Sequence, residues 1–421
     1  MDKKEAVTRF SPLAGVRVIE SSMLGPAEMG GLLADLGADV IKVEPPQGDY
    51  GRRMTWPIIK TQDGSDENSL LSLHINRSKR SIAIDLRQEE GVDLYLDLVR
   101  TADVVIEAMR PGALAKRGLT YKRMSEVNPR IVFCSISGYG ATGPYKDMPS
   151  HGIAYDTWAG QVPVAYDEDG FTYLPEHTSV GMHAGPLYGA LAILAGVISA
   201  RGSGQGCSME VAQSDSAAYF DWYRIESWKS YERPEAEVYG NKADGYERRA
   251  PGTAGMREGV RYQIYATADS HILFMASEQA FWRNFCEGVG RLDLFERWPG
   301  SEFGDHARHN LELRRILTEI FLTRSAQEWI EFGRTHNTPI APVNTPRNLA
   351  EDPQFVHRLG WLPRQDLDAE MLGFPVKFIG AELSLPSRAP GVGQHTDEVL
   401  AEVAGCDDEQ VAALRRSEVV R

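Results

Sequence analysis

The chain has 421 residues, and its 45 Lys and Arg set against 59 Asp and Glu leave a formal net charge of −14. That field repels phosphate polyanions and anionic lipid, so nucleic acid and membrane surfaces are excluded as partners, and an anionic ligand needs a local basic pocket. Hydrophobic residues at 42% and charged residues at 25% exclude a collagen, a coiled coil or a disordered tail, while the length predicts two domains.

From the N-terminus, "MDKKEAVTRFSPLAGVRVIE" carries no apolar signal core and reaches the strand-like "VRVIE" directly. Four cysteines, Cys134, Cys207, Cys286 and Cys406, are too scattered for a disulfide framework or a CxxC metal site, and a reducing cytoplasm fits them. After "VRVIE" the pattern alternates: "AEMGGLLADLGA" is helical, "DVIKVE" a strand, "EGVDLYLDLVRTA" helical, "DVVIEA" and "RIVFCSIS" strands. Such alternation implies βαβ units and a parallel sheet covered by helices, a Rossmann-like α/β large domain. Ligands in such sheets sit beyond the carboxyl ends of the strands, so the loops there are where chemistry is sought. The first of them reads "ESSMLGPAEMGG", without the GxGxxG fingerprint of a nicotinamide or flavin site.

Further on, the apolar run Gly185 to Ala200 is shorter than the roughly 20 residues of a membrane span and reads as a buried core helix. "CSMEVA" is a strand, and the charged, Gly- and Pro-rich stretch from Tyr231 to Gly259 a linker or mobile loop. "VRYQIYATADSHILFMAS" predicts a hairpin turning at "ADSH", followed by helices up to about Pro339 that complete a smaller domain. The tail ends in a helix capped by Thr396 or Asp397. The domains are thus 1–230, 231–339 and a C-terminal return at 340–421.

Six stretches in order, "LGPAEMGGLLADLGADVIKVEPPQGDYGRR", "INRSKRSIAIDL", "ADVVIEAMRPGALAKRGLTYKRMSEVNPRIVFCSISGYGATGPY", "RGSGQGCSMEVAQSD", "TPIAPVNTPRNLAEDPQF" and "GVGQHTDEVLAE", resemble the family III CoA-transferases. This CaiB/BaiF group also includes the α-methylacyl-CoA racemases. The resemblance implies a parallel sheet built from both chain ends, a smaller inserted α/β domain, and two subunits interlocked as rings. It implies coenzyme A and acyl-CoA as substrates, with a carboxylic acid as acceptor and no permanently bound cofactor. It places Met23, Leu24 and Gly25 along the pantetheine. Arg52, seconded by Arg53, falls near the CoA phosphates, Lys79 and Arg80 flank the adenine end, and Met109 and Lys116 complete the CoA contacts. Tyr139 and Gly140 of "GYGATGPY", with Tyr155 and, from the small domain, Glu278, border the acyl pocket. From the residues alone, each of these cations is equally readable as a surface charge, and Glu278 as a helix N-cap.

The transferases of this family use an aspartate that attacks the thioester, forms an anhydride and then carries CoA as an aspartyl thioester. It stands four residues before the glycine of a Gly-Met segment, and here that position is His177. An imidazole cannot carry CoA in this way. Three readings stay open: Glu176 takes over as nucleophile; the chain is the non-catalytic subunit of a hetero-oligomer whose homologous partner supplies the aspartate, the leading one; or His151 and His177 flank an α-carbon as the acid-base pair of a racemase. Without an unlike partner, a homodimer is expected. The loop "RRAPGTAGMREG" with Arg248, Arg249 and Arg257 stands where the family keeps a glycine-dense lid. His183 reads as a packed or capping histidine, no His, Cys, Asp and Glu group has metal-site spacing, and Trp158, Tyr155 and Phe171 hint at a bulky or aromatic acyl group.

Overall fold

The computed structural model describes residues 9–62, 64, 66–240, 248, 256–301 and 305–421. The chain forms two compact units, Met1–Asp221 with His357–Arg421, and Trp222–Val356.

The first unit is organised by six parallel strands: β1 (Arg17–Ser22), β2 (Asp39–Glu44), β3 (Arg80–Ala83), β4 (Val104–Ala108), β5 (Val132–Ser137) and β6 (Cys207–Ala212). Their order across the sheet is β3-β2-β1-β4-β5-β6, that of a doubly wound α/β sheet whose switch point lies between β1 and β4. Because side chains alternate along a strand, Val105 faces one core, with α3 (Glu89–Arg100), while Val104 and Ile106 face the other, with α1 (Glu28–Asp35). All six strands come from the N-terminal part of the chain, which corrects the expectation of a sheet built from both ends. The C-terminal segment supplies only the short strand Glu382–Leu383, paired in parallel with Arg9–Phe10 outside that sheet, and then helices Thr396–Glu402 and Asp408–Arg416, where Val399, Leu400 and Val411, with Val403 at the cap, seal the first core. Its first helix is capped at His395, not at Thr396 or Asp397, because the Thr396 hydroxyl is engaged with the carbonyls of Gly393 and Arg421.

The apolar run of the sequence lies inside a longer helix, α6 (Val180–Ser203), which has the length and composition to cross a membrane and is half buried. Ala190, Ile193, Val197 and Ala200 pack it onto the sheet, and Gly204 ends it with a φ of 76°, a conformation in which glycine avoids the penalty of a side chain.

In the second unit the expected hairpin forms between Tyr262–Ala266 and His271–Met275, and Phe274, Trp282, Phe285, Phe321, Trp329 and Phe332 make its aromatic core. Of the lid-like stretch, Arg249, Gly252 and Gly255 lie outside the described residues; Arg248 donates to the carbonyls of Tyr231 and Arg233.

Charged side chains are buried within the first unit. Glu20 of β1 lies under α1 where Gly30 has no Cβ, since one would stand 2.6 Å from its Oε1. Lys79 Nζ donates to Glu20 Oε2 at 2.6 Å, to Ala27 O at 2.7 Å and to Asn76 Oδ1 at 3.2 Å. Lys42 Nζ meets Asp49 at 3.2 Å and the carbonyl of Ser22 at 2.9 Å, and Arg52 binds Glu44 through two nitrogens. Removing one member of a buried pair leaves a charge without water or partner and costs about 3–5 kcal/mol, whereas replacing both with apolar groups is close to neutral. Lys79→Met is therefore expected to lower the urea midpoint by that equivalent, and Lys79→Met with Glu20→Leu to recover most of it. An equal loss in both variants would show that the pairing is not what the Lys79 position contributes.

Candidate active site at the carboxyl edge of the sheet

The loop after β1 is held by the charges beneath it. Lys42 fixes the Ser22 carbonyl at the end of the strand, and the chain then turns through Leu24 at φ 55° and ψ −149°, a backbone region costly for a branched L residue. The turn fits because Gly51 and Gly25 lack side chains: a Cβ on Gly51 would meet Leu24 Cδ2 at 2.9 Å, and one on Gly25 would meet Met182 Cγ at 2.9 Å. Gly152 makes the same allowance for Met182 from another loop, at 3.0 Å from its Sδ. Met182, in the first turn of α6, thus joins the pantetheine candidates Met23, Leu24 and Gly25 to the segment that carries His151.

Just beyond Gly152 the short helix α5 (Ile153–Trp158) buries Asp156 completely. Its Oδ1 accepts a hydrogen bond from the backbone N of Gly181 at 2.7 Å, capping α6 from another element, since Ser179 at the N-cap makes no side-chain cap bond. The bare Gly181 is required here, because a Cβ would lie 2.9 Å from Tyr155 Cβ. Asp156 Oδ2 lies 3.6 Å from His177 Nε2, beyond hydrogen-bond distance, and both atoms are buried without a partner. His177 Nδ1 is 3.0 Å from Pro175 O. A carbonyl only accepts, so Nδ1 carries the hydrogen and Nε2 of the neutral ring is an acceptor.

The partner set against His177 is therefore Asp156, not His151, whose side chain is exposed; the sequence motif "SHGIAYD" held the relevant acid five residues beyond the histidine it suggested. Glu176 is exposed, consistent with neighbours on an extended segment pointing apart. His183 is neither packed nor capping: its Nδ1 is 2.7 Å from Glu28 Oε2 and its side chain is 53% exposed.

On the acyl side, Tyr139 makes edge-to-face contacts with Tyr145, Tyr155 and Trp158, at centroid distances of 5.6, 5.8 and 6.3 Å. Gly140 has φ 83°, and Glu210 of β6 orders this loop by accepting from Ala141 N at 2.6 Å. Phe171 is exposed, and Glu278 stands in the second unit at the N-cap of the helix Gln279–Gly288, without a side-chain cap bond.

Three of the CoA-binding candidates, Arg52 for the phosphates and Lys79 and Arg80 for the adenine end, are engaged within the fold. Lys79 spends its three donors on Glu20, Ala27 and Asn76. Arg52 is buried against Glu44 and the carbonyl of Pro390. Arg80 stands at the start of β3, the opposite edge of the sheet, bound to Asp39, Glu398 and Glu402. The physical reason is the same throughout: the fold brings a carboxylate to each cation. The loop after β4 carries exposed cations at the carboxyl edge. Glu107, whose pKa burial raises, accepts from Leu114 N at 2.7 Å and anchors that loop. Met109 packs on the first core, and Arg110, Lys116 and Arg117 are exposed. Sequence reading passed over Arg110, although its place directly after a strand end was a signal. The cavity of about 940 Å³ between Asp35, Arg77 and the segment 358–386 contains none of these residues. Among the described residues no group of His, Cys, Asp and Glu could hold a metal ion.

A doubly wound sheet with glycine-gripped loops at its carboxyl edge defines a class of ligand-binding α/β protein. The sequence profile described as CoA-transferase family III matches residues 13–396, and the chain belongs to that family. It is 31% identical over 405 residues to the succinate–glutarate CoA-transferase of Agrobacterium fabrum, covering 94% of this chain and 96% of that one. It is 28% identical over 437 residues to the succinyl-CoA–L-malate CoA-transferase beta subunit of Chloroflexus aurantiacus, covering 99% and 100%. The solved structure of a CAIB/BAIF family protein from Brucella suis matches with a TM-score of 0.76 at 27% identity, over 94% of this chain and 100% of that one. The chain is accordingly a CoA-transferase, an enzyme class that takes CoA thioesters as substrates and needs no permanent cofactor.

The bond to Glu28 raises the pKa of His183 above the ordinary 6.5. A histidine raised on folding contributes stability that is complete below its unfolded value and is lost as pH rises through the folded one. In an NMR titration the His183 ring is expected to change charge above pH 6.5, and Glu28→Gln to bring it back down. A ring already titrating at its ordinary value in the unaltered chain would rule out the bond in solution.

Proposed function

We propose that this chain is the acyl-CoA-binding subunit of a family III CoA-transferase that moves CoA from a donor of the succinyl-CoA type to a carboxylic acid. A homologous subunit, interlocked with it around a Rossmann-like domain in the cytoplasm, supplies the catalytic aspartate. The observation that carries this reading is His177 where the family's chemistry needs a carboxylate. Neither nearby acid replaces it. Glu176 is exposed, and Asp156 is buried, with Oδ1 bound to Gly181 N and Oδ2 facing the His177 ring.

The pairing is supported by the outer side of α6, where Leu187, Leu191 and Ile198 are each more than half exposed. Contiguous exposed apolar side chains of this kind mark a surface made for another protein. The resemblance to a transferase beta subunit points the same way. The CoA phosphates are assigned to Arg110, Lys116 and Arg117, with the pantetheine along Met23 to Gly25.

A racemase is less well supported. That reading needs His151 and His177 on either side of one carbon, but His151 is exposed and the group set against His177 is the buried Asp156, 3.6 Å away.

The test is made with succinyl-CoA and intact-protein mass spectrometry. The chain alone is expected to form no covalent CoA adduct, and His177→Asp to form one that hydroxylamine removes. A CoA thioester on Glu176 or Asp156 of the unaltered chain would end the subunit reading.

A further inference from the structure

His177 and Asp156 leave a demand that CoA transfer by a partner does not use. With Nδ1 donating to Pro175 O, His177 Nε2 is an acceptor, and it faces a second acceptor, Asp156 Oδ2, at 3.6 Å. Both are buried and unpartnered, and Asp156 is fully buried. Buried acceptors without donors are costly. One water with two hydrogens satisfies both, donating to each from about 2.8 Å. Such a water would lie against Nε2 at the position where the family directs its nucleophile to the thioester.

We propose that this pair gives the chain a hydrolytic activity on acyl-CoA thioesters, with His177 as general base and Asp156 as the residue that positions the water and the ring. The proposal rests on the reading that this site holds an acyl-CoA. Nε2 takes one proton from the water as its oxygen bonds to the thioester carbonyl carbon. The tetrahedral intermediate then collapses, the C–S bond breaks, and the departing thiolate takes the proton back from Nε2. Solvent water is the only co-reactant, and the products are a free acid and CoA thiol. Oδ1 of Asp156 is tied to Gly181 N, so Oδ2 keeps one direction and acts on the water without attacking the substrate.

The experiment uses the full chain without an acceptor acid. Succinyl-CoA and benzoyl-CoA are supplied in ¹⁸O water, thiol release is followed with a chromogenic thiol reagent, and binding is measured separately with a non-hydrolysable CoA thioether. Thiol release with one ¹⁸O per acid formed is expected. His177→Gln should slow it about 10²-fold or more, the usual worth of a general base, with thioether binding unchanged. Asp156→Asn should lower kcat while leaving KM in place, a split that simple loss of structure would not give. His177→Asn serves as a second variant if the glutamine form is unfolded by circular dichroism. Thiol release equally fast in a folded His177 variant would overturn the proposal, and so would an intact thioester in a chain that binds the thioether, which leaves the subunit reading standing. Failure to bind the thioether would overturn that reading and this one together.

Discussion

The hydrogen bond from Gly181 N to Asp156 Oδ1 is the constraint on which the site depends. It places a buried carboxylate at the positive end of a 24-residue helix, where unsatisfied backbone N–H groups and the helix dipole favour negative charge. Having spent Oδ1 on the helix, Asp156 cannot rotate, and Oδ2 is left facing His177. Both glycines that admit Met182 belong to the same junction, so three loops and one helix start are locked by contacts that tolerate no added Cβ. The direction of the catalytic-position side chain is thereby set by the packing of a helix.

The charges show how an acidic protein distributes its few cations. Lys42, Lys79 and Arg52 are taken up beside β1 and β2, and the Lys42 bond to Ser22 O is what holds the strained Leu24 turn in place. Their visible contribution is to the framework: they shape the loop after β1. Arg110, Lys116 and Arg117 stand exposed on one loop at the carboxyl edge, itself anchored by Glu107.

Much of the first unit was legible because β strands and amphipathic helices leave their periods in the sequence: "VRVIE", "DVIKVE", "DVVIEA" and "CSMEVA" are strands where their apolar runs predicted. What was not legible depends on partners far along the chain. Arg52 looked available because Pro390, 338 residues away, was not in view. Arg80 looked like a ligand contact until Glu398 and Glu402 closed on it from the C-terminal helix. The sheet's restriction to the N-terminal part was hidden because the C-terminal return contributes apolar helices that a sequence pattern does not assign to one face. Asp156 escaped notice for a related reason: its meaning comes from a backbone N–H 25 residues later, and no motif records that.

The exchange at position 177 is also a change of reach. An aspartate there would carry its oxygens two bonds from Cβ, while the imidazole extends Nε2 three bonds out and closes to 3.6 Å from Oδ2. A second carboxylate extended that far would meet Asp156 as a like charge in a buried place, which is strongly unfavourable. The shorter side chain stays clear of Asp156 and keeps its oxygens free for a carbonyl carbon. The longer ring fills the gap and turns Nε2 toward the buried acid. One substitution therefore alters which atom faces the substrate, what it can accept and what lies behind it, while the helix cap that organises the site is left untouched.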